Sequence, residues 1–165
     1  MAKHTLKVEA RGDREIVMTR AFDAHRELVF DALTRPELLK RWFGAIGGWS
    51  LAVCDVDLRV GGGYRYVWRG PDGAQMGMRG VFREIVPPER IVSTEQFDES
   101  WYPGGAVGTA TLVEQGGTTT LTTTVRYDSR EARDAVLKSP MEQGAAAGYD
   151  VLDQFLVDSV AQRAK

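Results

Sequence analysis

The last third of the chain carries the clearest helical pattern, and that pattern contains an unusual number of small residues. From Met141 onward, apolar or small side chains recur every three or four positions through Gly144, Ala145, Gly148 and Leu152, which traces one stripe of an α-helix. Each glycine inside a helix costs about 1 kcal/mol relative to Ala. The small residues therefore favour either close packing of the helix on a sheet or a void between helix and sheet that holds a ligand.

Start signals divide this region into two helices. Ser139-Pro140-Met141-Glu142 resembles a capping box, with Ser at the N-cap and Pro at the first helical position. A similar signal stands at residues 128–131. We predict a short helix over 129–138 and a long one over 140–162, because Pro140 inside a single helix would clash with the carbonyl group of Val136.

The first third of the chain predicts a strand followed by two short helices. Residues 1–14 are polar and are expected to form a flexible tail. Residues 15–22 have the β-branched content of a first strand. Asp23 is expected to cap the first helix and Thr34 the second.

Six further strands follow, joined by short turns. We predict them at residues 49–56, 64–69, 76–86, 90–97, 106–114 and 118–126. Consecutive strands with short connections form antiparallel sheets. The sequence therefore predicts a single α+β domain over 15–165, in which a curved antiparallel sheet of about seven strands wraps around the long C-terminal helix, with two short helices after strand 1.

Composition excludes several classes of protein. The formal net charge is −2 and Lys and Arg are not clustered, which argues against nucleic-acid binding. No apolar run approaches the length of a membrane span, and residues 1–14 lack the apolar core of a signal peptide. Cys54 is the only cysteine, so a reducing, cytoplasmic location is expected.

A search for catalytic motifs finds none. His4 and His25 stand in no spacing typical of a metal site or a triad. The glycines at 61–63 lack the Lys-Ser/Thr of a phosphate-binding loop and are more typical of a bend in a sheet. We therefore predict no metal and no organic cofactor.

Aromatic and methionine side chains at strand spacing are the best candidates for ligand contact. Tyr64, Tyr66 and Trp68 alternate on one strand, and Met78 and Phe82 on the next. A plain hydrophobic core is the alternative, but Met and aromatic residues suit adaptable apolar pockets. Helix and loop residues expected near the mouth of such a cavity are Trp42, Phe43, Trp49 and Trp101.

Polar groups could orient a ligand in this cavity. The hydroxyl groups of Tyr64, Tyr66 and Thr109 are candidates for hydrogen bonds to it. Asp55 and Arg59 could form an inward ion pair, which is costly to bury unless paired and so would point to function. Residues 44–48 and the loop around Trp101 are candidate gates.

Several segments together resemble one family of proteins. They are residues 35–43 (RPELLKRWF), 57–62 (DLRVGG), 70–73 (GPDG), 80–85 (GVFREI), 88–92 (PERIV) and 141–144 (MEQG). They resemble homologues of the heat-shock protein 90 ATPase activator, in the START-like superfamily that also holds birch-pollen allergens and polyketide cyclases. The resemblance implies a helix-grip fold with an internal, mostly apolar cavity.

Three hypotheses for function follow. The chain binds a small hydrophobic molecule (lipid-like, aromatic or polyketide-like) in the cavity, which is the reading we favour. Alternatively, it is an enzyme of cyclase or hydrolase type that uses an inward acid or base such as Asp55 or Arg59. The third possibility is an interaction module that acts on a chaperone. Either a monomer or a homodimer formed through the sheet edge is compatible with the sequence.

Overall fold

The computed structural model describes residues 4–44, 47–99 and 102–163, in which eight strands and four helices form. The strands are β1 (Lys7–Arg11), β2 (Glu15–Phe22), β3 (Ser50–Val56), β4 (Gly63–Arg69), β5 (Gln75–Val86), β6 (Arg90–Phe97), β7 (Ala106–Gln115) and β8 (Thr118–Tyr127). The helices are α1 (Arg26–Thr34), α2 (Pro36–Trp42), α3 (Arg130–Lys138) and α4 (Met141–Arg163).

The strands form one antiparallel sheet in the order β1-β2-β8-β7-β6-β5-β4-β3. From β3 to β8, every strand pairs with its neighbours in sequence, as the short turns require. The connection from β2 to β3 contains α1 and α2 and crosses to the far edge of the sheet, and β2 pairs with β8, with Glu15 opposite Arg126. The predicted α+β helix-grip architecture, with a curved sheet around a long C-terminal helix, is confirmed.

The sheet has one strand more than the predicted seven, because β1 lies inside the segment expected to be a flexible tail. β1 pairs with β2, with Val8 opposite Met18. Val8 also packs against a cluster of buried side chains, whereas Lys7 and Glu9 are exposed at the sheet edge. Such an edge strand offers too few apolar positions for its alternation to be recognised from sequence.

The two C-terminal helices begin where their caps indicate. The Ser129 hydroxyl accepts a hydrogen bond from the backbone N–H of Ala132 at 3.1 Å, and the Ser139 hydroxyl accepts one from the N–H of Met141 at 3.3 Å. The predicted break between α3 and α4 is therefore present at the proline, where a continuous helix would clash.

The predicted caps of the first two helices are wrong. The N-cap residues are His25 and Arg35, and neither side chain caps its helix. Asp23 instead accepts a hydrogen bond from the Thr118 hydroxyl at 3.0 Å, and the Thr34 hydroxyl donates to the carbonyl oxygen of Phe30 at 2.9 Å. Each side chain thus bonds to a partner other than the helix start.

Helix α4 is held to the sheet by apolar packing and by one buried cation. Leu152 and Leu156 are almost completely buried in the main core, and each buried leucine contributes about 2 kcal/mol. Arg20 of β2 is 1% exposed, and its Nη2 lies 3.2 Å from Asp150 and 3.8 Å from Asp153 on α4. Of the helices in the described part of the chain, none combines the length and apolar character needed to cross a bilayer.

Candidate ligand cavity between the sheet and helix α4

A cavity of about 190 Å³ lies in the interior of the fold, between the sheet and helices α2 and α4. Its aromatic lining residues are Trp42, Phe43, Tyr64, Tyr66, Phe82 and Tyr149. An apolar cavity of about 150 Å³ is large enough to hold benzene. The space therefore matches a ligand of about one ring with a short substituent.

Edge and face contacts fix the rings around this space. The ring of Phe43 makes T-shaped contacts with Tyr66 and Trp68, at centroid distances of 5.3 and 5.2 Å. Trp42 stacks on Tyr149 of α4 at 6.1 Å. The indole N–H groups bond to backbone, that of Trp42 to Ala32 and that of Trp68 to Phe43. Because the backbone already accepts hydrogen bonds from both indole N–H groups, the two rings can pack as apolar surfaces.

The ring of Tyr64 packs over Gly80 of the neighbouring strand β5 and reaches β6. Its hydroxyl donates to the carbonyl oxygen of Thr94 at 2.6 Å. To reach that oxygen the ring passes over Gly80, where a Cβ would lie 2.5 Å from the tyrosine ring and would overlap the Thr94 carbonyl oxygen. The Thr94 hydroxyl accepts a hydrogen bond from the N–H of Val81 at 2.8 Å. A glycine is therefore needed at position 80, because a larger residue would collide with the backbone of β6 and with the Tyr64 ring.

Glu95 brings a carboxyl group to the cavity wall. On β6 it shares a face with Ile91 and Ser93, which also line the cavity. Its Oε2 lies 2.8 Å from the position that a Cβ of Gly108 would occupy, so this glycine on β7 makes room for the acid. Burial raises the pKa of Glu95 to about 7. Near neutral pH the group therefore exchanges between its protonated and ionised forms.

Glu95 was not among the residues predicted from the sequence to contact a ligand. The signal that could have identified it is the alternation along β6. Ile91, Ser93, Glu95 and Phe97 occupy every second position and therefore share one face of the strand. Because Ile91 and Phe97 pack on the core, an acidic residue between them on the same face is directed to the interior.

The charge of Glu95 acts on all five tyrosines of the chain, Tyr64, Tyr66, Tyr102, Tyr127 and Tyr149. In each of them burial is the main cause of a raised pKa, and the field of Glu95 raises it further. The pKa of Tyr102, for example, rises to about 12. These hydroxyl groups therefore remain protonated around neutral pH.

Many of the predicted cavity residues do come together. Those that line the cavity are Trp42, Phe43, Tyr64, Tyr66, Met78 and Phe82. Trp68 and Leu152 are buried in the same core. Gly148 is buried, and a Cβ there would meet nothing within 4 Å, so open space adjoins this part of α4.

Other predicted residues lie elsewhere. Trp49 packs over Gly70, and Met141 packs in the second cluster of buried residues, beneath α3. Gly144 is exposed and Ala145 half-buried. Trp101 and part of the loop at 44–48 lie outside the described residues. Because Gly144 is exposed, the stripe of small residues does not face the cavity along its whole length.

Thr109 points away from the cavity. It is half-buried and alternates along β7 with Gly108 and Ala110, both of which line the cavity. Successive side chains of a strand point to opposite faces. The prediction that Thr109 orients a ligand in this cavity is therefore wrong.

The predicted inward ion pair between Asp55 and Arg59 is also wrong. Asp55 is exposed. The side chain of Arg59 is 75% exposed and pairs with Asp57 at 2.8 Å. An exposed pair avoids the desolvation penalty that an inward pair would pay. The enzyme hypothesis thus loses the two residues named for it, and Glu95 is the carboxyl group that the described cavity wall offers instead.

A larger, open trough of about 960 Å³ runs along the opposite face of the sheet. Most of its lining residues alternate with those of the cavity, including Asp55, Arg65, Arg79 and Val107. Arg65 and Arg79 both pair with Asp98. We favour the cavity as the ligand site because its lining is mainly apolar and aromatic, whereas the trough is lined by charged side chains, of which Arg65 and Arg79 already pair with Asp98.

The described residues offer no obvious place for a metal ion. Within residues 4–44, 47–99 and 102–163, no group of three or more His, Cys, Asp or Glu side chains is arranged to hold one. Cys54 is buried, and burial raises the pKa of its thiol to about 11. The thiol therefore remains protonated and is a weak nucleophile.

Solved bacterial proteins share this architecture. A protein from Rhodobacter sphaeroides is 33% identical, with 93% of this chain and 99% of that chain covered and a TM-score of 0.88. Protein CV1439 from Chromobacterium violaceum is 26% identical, with 88% and 98% covered and a TM-score of 0.77. Protein Ms6760 from Mycobacterium smegmatis, at 24% identity, 92% and 96% coverage and a TM-score of 0.82, shows the same fold.

A comparison with curated proteins finds no match. The family model described as "Activator of Hsp90 ATPase homolog 1-like protein" matches residues 23–157. This range omits β1, β2 and the end of α4, and it includes the residues that line the cavity. The chain belongs to this family of activator of Hsp90 ATPase homolog 1-like proteins.

Proposed function

We propose that the chain binds a small, mostly apolar molecule in the cavity between the sheet and α4. The observation that supports this proposal is the aromatic wall formed by side chains of α2, β4, β5 and α4. Burial of about 200 Å² of apolar ligand surface, at about 25 cal/mol per Å², contributes about 5 kcal/mol before the cost of association. Such binding needs neither a metal nor an organic cofactor.

The size of the cavity limits the ligand. With the side chains as they stand, about 190 Å³ admits one ring and a few further atoms. A longer lipid-like or polyketide-like ligand would have to displace wall residues such as Phe43, which is only half-buried. We therefore place single-ring compounds ahead of long acyl chains.

A volume change at the wall tests the proposal. Ala110 lines the cavity from β7, so Ala110→Leu fills part of the space. Thr109→Leu, on the opposite face of the same strand, is the matched control. Toluene binding, followed by isothermal titration calorimetry, should weaken at least tenfold in Ala110→Leu and remain unchanged in Thr109→Leu. Equal binding by both variants, or no binding by the unaltered protein, would contradict the proposal.

A further inference from the structure

We infer that the ligand is a small ring-bearing amine whose ammonium group pairs with the carboxylate of Glu95 inside the aromatic wall of the cavity. This inference rests on the proposed function and specifies the chemical class of ligand for the same site. It follows from which charged and hydrogen-bonding side chains line the described part of the cavity.

The described cavity wall offers one acid and no base. Its polar side chains other than tyrosine hydroxyls and the Trp42 N–H are Glu95, Ser93 and Thr123, and none of the residues that line it is Lys, Arg or His. Within residues 4–44, 47–99 and 102–163, no side-chain hydrogen bond or ion pair of the Glu95 carboxylate is found, and burial is the one cause of its raised pKa. The Glu95 side chain is half-buried, and withdrawing a carboxylate from water without a partner is costly. A ligand that carries an ammonium group supplies both the charge and the donors it lacks.

The aromatic rings favour the same ligand. Tyr64, Tyr66 and Phe82 form a connected group on the wall, with centroid distances of 4.8 Å and 5.6 Å from the Tyr64 ring to the other two. Ring faces attract cations through their quadrupoles. This chain already uses that interaction in its interior, where the Arg20 guanidinium lies 4.9 Å from the centre of the Phe22 ring. An ammonium group and an attached ring would thus both be accommodated.

The arrangement makes binding depend on pH through Glu95. The groups on which its charge acts are the five tyrosines of β4, β8, α4 and the loop before β7. All of them have raised pKa values and stay neutral near pH 7. Arg20, the buried cation of β2, is paired with Asp150 and Asp153 of α4.

Glu95 is therefore the group whose titration governs binding near neutrality. An ammonium ion favours the ionised form of its partner, so it binds more tightly as the pH rises through the pKa of Glu95 and displaces a proton below it. A neutral ligand of the same shape lacks this dependence on pH.

Benzylamine and benzyl alcohol provide a matched pair of probes, because they have nearly the same shape and differ in charge. Calorimetric titrations at pH 8 should give benzylamine at least tenfold tighter binding than benzyl alcohol, and the ratio should shrink at least threefold at pH 5.5. Glu95→Gln should bring the ratio at pH 8 close to one. Glu142→Gln, the same charge change at an exposed position of α4, should leave the ratio unchanged.

The outcomes separate this inference from the proposed function. Equal binding of the two probes to the unaltered protein at pH 8 would overturn the amine inference and leave the binding function intact. A preference for benzylamine that survives in Glu95→Gln would overturn the role of Glu95. If neither probe nor toluene binds, both proposals fail. Circular dichroism of Glu95→Gln establishes that the variant is folded before the ratio is interpreted.

Discussion

The carboxylate of Glu95 on β6 lies against Gly108 on β7, with Oε2 2.8 Å from the position of the Cβ that glycine lacks. The two residues are diagonal neighbours across the strand pair, since Gly108 is opposite Ser93. The Cβ that Gly108 lacks leaves room for an acidic side chain at the cavity wall.

Gly108→Ala tests whether this contact positions the acid. The new methyl group meets the flexible end of the Glu95 side chain rather than backbone, so the carboxylate moves and the fold is little affected. We expect a stability change of less than about 1 kcal/mol in urea unfolding and a lower preference for benzylamine over benzyl alcohol. An unchanged preference would show that the position of the acid does not depend on Gly108.

Glu95 should also make stability depend on pH. Below pH 4.5, the ordinary pKa of a glutamic acid, both folded and unfolded chains hold the proton. Between pH 4.5 and about 7 only the folded chain still holds it, so the stability that Glu95 contributes decreases as the pH rises. Glu95→Gln lacks this loss and should be more stable than the unaltered protein at pH 8, by about 2–3 kcal/mol.

Urea unfolding of both proteins at pH 5 and pH 8 measures this effect. The stability advantage of Glu95→Gln should be small at pH 5 and large at pH 8. Glu142→Gln reports how much of any change comes from net charge alone. An advantage that is the same at both pH values would contradict the raised pKa of Glu95.

Gly80 should be among the least replaceable residues of the sheet. In Gly80→Ala the methyl group overlaps the Thr94 carbonyl oxygen, which is backbone and cannot move without separating β5 from β6. We expect a loss of about 2–4 kcal/mol in the free energy of unfolding. Gly63→Ala is the control, because the nearest atom to its Cβ is at 3.4 Å. Similar losses in the two variants would refute this steric explanation.

Arg20 should stabilise the docking of α4 mainly through Asp153, whose side chain is 18% exposed, whereas that of Asp150 is 58% exposed. Arg20→Met leaves Asp153 half-buried without its cation, and we expect a loss of about 2 kcal/mol in thermal or urea unfolding. Adding Asp153→Leu removes the unpaired charge and should restore part of the stability. Additive losses in the double variant would show that the two side chains are not coupled.

The fold could be predicted because long strands and helices carry repeated signals. The six strands from β3 to β8 and the division between α3 and α4 follow from alternation, turn residues and the proline. β1 was missed because its pairing with β2 depends on a contact far from its own sequence, with Val8 as its main packing residue.

The site was harder to predict than the fold. Aromatic residues such as Tyr66 line the cavity together because an alternating run fixes which side chains share a face. Asp55 was wrongly predicted to point inward and Glu95 was not predicted at the wall, because the orientation of an acidic residue in a strand depends on which residues face it from the neighbouring strands. The space that Gly108 leaves for Glu95 is not visible until the strand register is known.

An NMR titration with toluene tests the central claim most directly, because it locates the ligand. The backbone amide signals of Gly108, Ala110 and Tyr149, which line the cavity, should shift in a saturable manner. Those of Arg79 and Val107, on the trough of the opposite sheet face, should not. Saturable shifts confined to the trough, or no shifts at the cavity residues, would contradict an interior binding site.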